Sequence, residues 1–387
     1  MKLTHFEALR PICPLCQRTT GEEHALALGR VLTTEGEHIL EGVVVCTGAS
    51  CRREYPIIDG VPLLIPALRA YVAQNASQLL QRSDLSETVE SILGDCCGQG
   101  SPLDQTRQYL SSYTWGHYAD LDPAEDPPAR PALLSLLDEG LALAGLRSAQ
   151  GAPEPPHDGP ILDAGCSVGR TSFELAERFP GRLVIGVDLG FSMIQLAARA
   201  LRRGELSYPR RRGGLVYDRR SFPVRFDRAS QVDFWACDAQ ALPFRTGSVA
   251  LATSFNLLDC VGSPYEHLQA LARVLAPEAA AIIATPYDWS VTATAIEGWI
   301  GGHSQRGPER GDSAAALRAL LTPGAHPASI PGLRLDGEAP SLPWTVRVHD
   351  RSRMEYAVHL VVARAIAAAR DGRVAAADAP RARETVE

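Results

Sequence analysis

Ile161-Leu162-Asp163-Ala164-Gly165-Cys166-Ser167-Val168-Gly169-Arg170-Thr171-Ser172-Phe173-Glu174-Leu175-Ala176 is the stretch that decides the fold. A short apolar strand runs into a turn with two glycines, and the turn opens an amphipathic helix at Thr171. Such a turn lets backbone approach a ligand and aims helix N–H groups at an anion. Outward from it, apolar strands at 183–187, 232–236, 249–255 and 280–285 alternate with helices at 191–201 and 264–275. That alternation predicts an α/β, doubly wound, mostly parallel sheet. Segments 344–348 and 356–363 are expected as its closing antiparallel strands.

Two further loops add chemistry to the glycine turn. The second strand ends in Asp188, where a carboxylate can accept both hydroxyls of a ribose. After the third strand, Cys237-Asp238-Ala239-Gln240-Ala241-Leu242-Pro243-Phe244 offers an acceptor for an exocyclic amine and apolar cover for a ring. All three loops leave the carboxyl edge of the sheet, where open α/β sheets bind ligands. Gly165 to Gly169 also fits the G-x-S-x-G elbow of a serine hydrolase, with Ser167 as nucleophile. The hydrolase leaves Asp188 and Asp238 unexplained. A nicotinamide enzyme shares the glycine and ribose-acid logic, but its G-x-G-x-x-G is broken at Ser167 and Arg170.

Together the three loops resemble the S-adenosylmethionine fingerprint of class I methyltransferases, over about residues 160 to 290. The resemblance implies a Rossmann-like fold with a seven-stranded sheet. It places Asp163, Gly165 and Gly169 on the methionine portion of the cofactor, with Cys166, Arg170 and Asn256 among the contacts. It places Asp188 on the ribose, and Asp238 with Ala239 on the adenine.

The set Asp163 to Ala176, Asn256-Leu257-Leu258-Asp259, Thr285-Pro286-Tyr287-Asp288-Trp289 and Trp299-Ile300-Gly301-Gly302 resembles, more narrowly, the 4-mercaptohistidine N-methyltransferase domain of ovothiol synthase. Gln108-Tyr109-Leu110 and His117-Tyr118 echo that domain's aromatic entry segment, whereas Cys260 stands where an arginine is usual and Asp288 and Ser290 alter the strand-five loop. The resemblance implies an imidazole nitrogen of a histidine-derived small molecule as acceptor. Asp259, Tyr287, Asp288 and His117 are the candidates to take or orient the ring proton. Tyr109, Tyr113, Tyr118, Asn256, Tyr287, Trp289 and Trp299 are candidate substrate contacts.

Cys13-Pro14-Leu15-Cys16 and Cys46-Thr47-Gly48-Ala49-Ser50-Cys51 form two cysteine pairs, each expected where a turn joins short strands. Two such knuckles can close a tetrahedral thiolate site, and four thiolates leave no open position, so the metal is expected to be structural Zn2+. With the tail Tyr55-Pro56-Ile57-Ile58-Asp59-Gly60-Val61-Pro62-Leu63-Leu64 the stretch resembles the zinc-ribbon domains that accompany several methyltransferases. Cys96, Cys97, Cys166, Cys237 and Cys260 are expected as free thiols.

With 45% hydrophobic and 21% charged residues in 387, the composition is globular, and the net charge of −7 gives no global attraction to nucleic acid. No stretch is apolar enough to span a bilayer and the start lacks a signal-peptide core, so no membrane partner and a cytoplasmic location are expected. The arginines of 209–220 are expected in a solvated insertion loop. Read as a phosphate contact, they instead raise an RNA base as substrate, and the ribbon equally suits recognition of a histidine in a peptide or protein. The expected organisation is a β-rich ribbon at 1–68, a helical linker and substrate-entry segment at 69–150, the methyltransferase domain at 151–365 and a disordered tail at 366–387. The sequence leaves the oligomeric state open.

Overall fold

Four cysteines and a few short segments open the chain in the computed structural model, which describes residues 1–81, 85–126, 128–146 and 154–366. Helices α1 (Leu3–Leu9) and α2 (Pro14–Thr20) precede the antiparallel strands β1 (Leu26–Glu35), β2 (His38–Cys46), β3 (Glu54–Ile58) and β4 (Val61–Leu64). The first cysteine knuckle is therefore not a turn between strands. Cys13 is the N-cap of α2 and Pro14 takes its first position, where a missing N–H costs nothing.

Helices α3 (Leu68–Leu79), α4 (Glu87–Cys97), α5 (Pro102–Tyr118) and α6 (Ala132–Leu143) follow. Cys96 and Cys97 lie in the last turn of α4. The helix runs through Gly94 to Gly98, whose φ of +79° ends it. The aromatic entry segment lies on α5, capped by the Ser101 hydroxyl accepting the Asp104 N–H.

The main sheet follows with β5 (Ile161–Ala164), α7 (Arg170–Arg178), β6 (Val184–Asp188) and α8 (Phe191–Arg203). A hairpin, β7 (Glu205–Gly213) and β8 (Val216–Pro223), precedes β9 (Val232–Cys237), β10 (Val249–Phe255), α9 (Pro264–Val274) and β11 (Leu275–Thr285). Helix α10 (Ser313–Leu320) and the long strands β12 (Leu333–His349) and β13 (Ser352–Ala365) close it. The order β9-β6-β5-β10-β11-β13-β12 is parallel through β11, and β13 enters antiparallel between β11 and β12. This is the expected Rossmann-like arrangement, 3-2-1-4-5-7-6 in chain order. The order reverses at β5, so the turns after β5, β6, β9 and β10 converge on one edge. β5 and β9 are buried at every residue, as strands covered on both faces must be. Leu162 and Ala164 enter one core and Ile161 the other.

Three features differ from the sequence expectation. The ribbon continues the main sheet, because Leu63 and Leu64 of β4 pair in parallel with Ala236 and Cys237 of β9. The arginine segment is the β7–β8 hairpin rather than a loop. The closing strands are far longer than expected. β11 pairs only with residues 359–364 of β13, so 352–358 rise past the sheet edge with their β12 partners and form a wall that α5 packs against. Of the tail expected from 366, only Ile366 falls within the described residues.

Candidate active site

Gly165, Ser167 and Gly169 all have positive φ, at +78°, +51° and +88°. At Gly169 a Cβ would sit 2.6 Å from the Phe234 ring and 2.8 Å from Ala197, so the helix can enter this close to the sheet only with glycine. Ser167 has no such freedom, and a carboxylate holds it: Asp188 Oδ2 accepts its N–H at 2.8 Å while Oδ1 accepts the Gly190 N–H at 2.7 Å. The Ser167 side chain, with the residue 8% exposed, has no hydrogen-bond partner for Oγ, and neither does Asn256 Oδ1 after β10. Buried polar atoms are rarely left so, and two on one sheet edge suit a polar ligand bound there.

The other sequence-selected residues of this turn work behind it. Asp163 lies inside the fold, accepting from Ser172 Oγ at 2.6 Å and Thr253 Oγ1 at 2.9 Å, and burial pushes its pKa up to about 6. Arg170 donates to Asp120 at 2.9 and 3.0 Å, to Glu174 Oε1 and to the His117 carbonyl, which ties α5 to α7 and leaves it no fork for a cofactor carboxylate. Tyr118 is buried and donates its hydroxyl to Val168 O at 2.8 Å, bracing the turn rather than facing a substrate. His117, 6% exposed, has a pKa pushed down to about 3 by burial and by Arg170, which withdraws it from proton transfer near neutrality. The Cys166 thiol is buried, and burial raises its pKa.

In the third loop Asp238 Oδ1 accepts from Gln240 N and Nε2, each at 3.0 Å. The Ala239 carbonyl accepts from His267 Nδ1 at 3.2 Å, and His267 Nε2 accepts from Ser254 Oγ at 2.9 Å. Burial lowers the His267 pKa to about 4, so this clamp is a neutral imidazole. The ribbon reaches the same loop: Arg18 of α2 lies 3.7 Å from Asp238 Oδ2, and Ile12 N donates to Pro243 O at 2.9 Å. His267 and Arg18 carry no local sequence signal, since both act across the tertiary fold.

Beside these loops, the segments after β10 and β11 are joined by the Asp288 N–H donating to Asp259 Oδ2 at 2.7 Å. Tyr356 on the rising part of β13 donates to Asp288 Oδ2 at 3.1 Å. From α5, Tyr109 and Tyr113 stand exposed with ring centroids 6.4 Å apart. Tyr287, at φ +57°, donates its hydroxyl to His359 Nδ1 at 2.7 Å, and His359 Nε2 donates to Glu338 Oε2 at 3.0 Å. The sequence reading did not find His359 or Glu338.

Trp289 and Trp299 stack at 6.0 Å with 14° between planes, and their indole N–H groups donate to Ser313 Oγ and Thr294 O. Gly302 is fixed by them, because a Cβ there would lie 2.6 Å from Trp289 Cδ1. These aromatics form the wall at the side of the loops.

The four ribbon thiols, Cys13, Cys16, Cys46 and Cys51, all lie within 4.8 Å of one another. Two cross-pairs, Cys13–Cys51 at 3.9 Å and Cys16–Cys46 at 3.8 Å, match the about 3.8 Å edge of a tetrahedron with metal–sulfur bonds near 2.3 Å. The cluster is compatible with a bound metal ion. Cys237 and Cys260 are free thiols, as expected.

The hairpin arginines are spent within the protein. Arg210 and Arg212 pair with Asp350, Arg219 with Glu90 and Arg220 with Asp122, while Arg211 is buried against Gln108, Ser111 and Gly214. A cleft of about 490 Å3 lies between α4, α5, α8 and this hairpin, lined by Arg107, Gln195 and Arg219 among others, and none of the loops after β9, β10 or β11 lines it. Ser167 Oγ has no imidazole partner among the described residues, and the nearby carboxylate accepts its backbone N–H instead. No helix among the described residues is long and apolar enough to cross a membrane.

A family model described as a methyltransferase domain matches residues 162–283, the span from β5 into β11 that holds the turns after β5, β6, β9 and β10. Among solved structures, the chain is similar to an S-adenosylmethionine-dependent methyltransferase of Methanosarcina mazei, with 20% identity, a TM-score of 0.34 and coverage of 55% of this chain and 95% of that one. It is also similar to the antibiotic-resistance methyltransferase Kmr, with 22% identity, a TM-score of 0.32 and coverage of 60% and 91%. For phosphoethanolamine N-methyltransferase 2 of Haemonchus contortus the figures are 17%, 0.31, 46% and 35%.

Proposed function

We propose that this protein transfers a methyl group from S-adenosylmethionine to an imidazole nitrogen of a histidine-derived small molecule. The methyltransferase-domain match over residues 162–283 supports methyl transfer as the activity class. The observation that carries the cofactor assignment is the glycine turn latched by Asp188, with Ser167 Oγ and Asn256 Oδ1 buried and unpartnered beside it. Asp188 keeps lone pairs for ribose hydroxyls, Ser167 and Asn256 take the amino-acid end, and Asp238 with Ala239 takes the adenine. When bound, the cofactor supplies an electrophilic methyl carbon on a sulfonium that leaves as a neutral thioether.

The chain's own work is to desolvate and align the acceptor lone pair and to take one proton. Tyr109 and Tyr113 cover the acceptor from α5, and Trp289 and Trp299 wall it in. The nitrogen attacks with its neutral lone pair, and the opposite ring nitrogen then releases its proton to the Asp259–Asp288 pair. Burial raises the Asp259 carboxyl, which suits it to accept that proton. Tyr287 serves the wall, with its hydroxyl held by His359. The ribbon holds structural Zn2+ on its four cysteines.

Incubation with S-adenosylmethionine and histidine derivatives, read by mass, tests this. The expected result is a gain of one methyl on the imidazole without any added RNA. Methylation of RNA or of a peptide histidine in preference to every free derivative would overturn the substrate class.

A further inference from the structure

Four arginines are buried among the described residues, and three of them spend their guanidinium groups inside the protein. Arg170 donates to Asp120 and Glu174, Arg211 to Gln108 Oε1 and Gly214 O, and Arg347 to Glu125 and Asp350. Arg107 on α5 is the fourth. It is 8% exposed, yet among the described residues it makes neither a hydrogen bond nor an ion pair. Its guanidinium carbon lies 4.0 Å from the centre of the Tyr217 ring on β8, and a Cβ at Gly94 of α4 would stand 2.6 Å from its Nη1. The ring holds the cation but accepts none of its N–H bonds in the guanidinium plane. Asp104, one turn earlier on α5, is turned to other donors, the Gly100 N–H, the Gln108 amide and the Tyr217 hydroxyl. Buried donors are seldom left open, and a charged one least of all.

Arg107 lines the cleft of about 490 Å3 between α4, α5, α8 and the β7–β8 hairpin. Arg199, Arg203 and Arg219 line it too, against Glu90 and Glu205. Glu90 is matched to Arg219, and Arg199 shares Asp59 with Arg202, while Arg203 has no ion pair among the described residues. The cleft therefore carries an excess of positive charge. Leu85, Leu93 and Leu110 add apolar surface to the same space. No residue of the 165–169 turn lines it, and none of the loops after β9, β10 or β11 does, so it is not part of the cofactor edge.

We propose that this cleft is a second ligand site, separate from the methyl-transfer edge, for a small organic anion: a carboxylate or phosphate on an apolar body. The head group pairs with Arg107, and the body lies on the leucines. A space of this volume suits a small molecule rather than a polymer strand. With one face on Tyr217, the guanidinium keeps its planar fork of N–H groups for an anion, and that fork fits either head group with two parallel bonds. A neutral molecule of the same shape leaves those donors unmet.

The test is calorimetry on the full chain at pH 8 with phenyl phosphate, phenylacetate and the neutral 2-phenylethanol. The tighter of the two anions is expected to bind about 10- to 100-fold more strongly than the alcohol, the range of a charge-assisted contact. Their order identifies the head group. Arg107→Gln should remove most of that margin, with an unfolding curve to show that α5 still packs. Arg203→Gln, at an exposed position, should weaken both anions by about twofold to fivefold, as loss of a surface charge does. Saturating S-adenosylhomocysteine should leave the affinities unchanged, because the cleft lies outside the cofactor edge. Equal binding of anions and alcohol, no binding of either anion, a full margin in Arg107→Gln, or displacement by S-adenosylhomocysteine overturns the proposal. Should Arg107→Gln fail to fold, Arg203→Gln decides, and an unchanged anion affinity there overturns it.

Discussion

Asp188→Asn separates the two tasks assigned to this carboxylate. In the native chain its two oxygens accept the Ser167 and Gly190 N–H groups at 2.8 and 2.7 Å. An amide presents one oxygen and one NH2, so whichever way it sits, one backbone donor loses its acceptor and faces another donor. A hydrogen bond to a charged group contributes about 1.5–3 kcal/mol, and Ser167 at φ +51° depends on that bond more than a glycine would. The ligand-free protein should therefore lose about 2 kcal/mol in urea unfolding. The ribose contact adds a second loss of about 1.5–3 kcal/mol in binding, or about 10- to 150-fold in affinity for S-adenosylhomocysteine. Calorimetry on ligand-loaded protein and unfolding of the ligand-free protein read the two losses independently. An affinity within twofold of the native chain, with unchanged stability, would refute both the latch and the ribose assignment.

Purified protein kept reduced should contain about one zinc per chain, and chelation should unfold the ribbon, whose small core depends on the metal; less than half an equivalent contradicts the thiolate site. Gly302→Ala should destabilise by about 2–4 kcal/mol, from a left-handed alanine and a Cβ driven into Trp289; a change under about 0.5 kcal/mol in urea unfolding argues against the packed wall. Asp163, with a pKa pushed up from 3.8 to about 6 by burial, holds its proton longer folded than unfolded. Its contribution thus falls as pH rises from about 4 to 6, by about 3 kcal/mol. The stability of Asp163→Asn relative to the native chain should accordingly rise across that window, and a difference flat with pH would show that Asp163 ionises as an exposed aspartate does.

The parallel strands and their helices were legible because their signal is local: apolar runs of four to seven residues, glycines at the turns and a 3.6-residue apolar stripe. The glycine turn and Asp188 were legible for the same reason. Asp163 and Asp188 look alike in sequence, each closing a strand, but one points between Ser172 and Thr253 inside the sheet and the other reaches the turn. Only the pairing of strands decides which. The union of β4 with β9 joins residues 63 and 236, and nothing local marks it. The same holds for Tyr118, which reads as a substrate aromatic until Val168 O is found against its hydroxyl. The arginines of the hairpin read as a free basic patch because their partners, Glu90, Asp122 and Asp350, are distant in the chain. Tyr287 carried a signal through its motif, whereas His359 and Glu338 lie in strands whose pattern speaks only of burial.

The proposed cofactor site places one adenosyl ligand across the turns after β5, β6 and β9. A crystal structure of the protein grown with S-adenosylhomocysteine measures it directly. The expected density puts the ribose hydroxyls on Asp188, the amino-acid end beside Ser167 Oγ and Asn256 Oδ1, and the adenine against Ala239. Density for the ligand elsewhere, or these three turns closed by their own side chains, would contradict it.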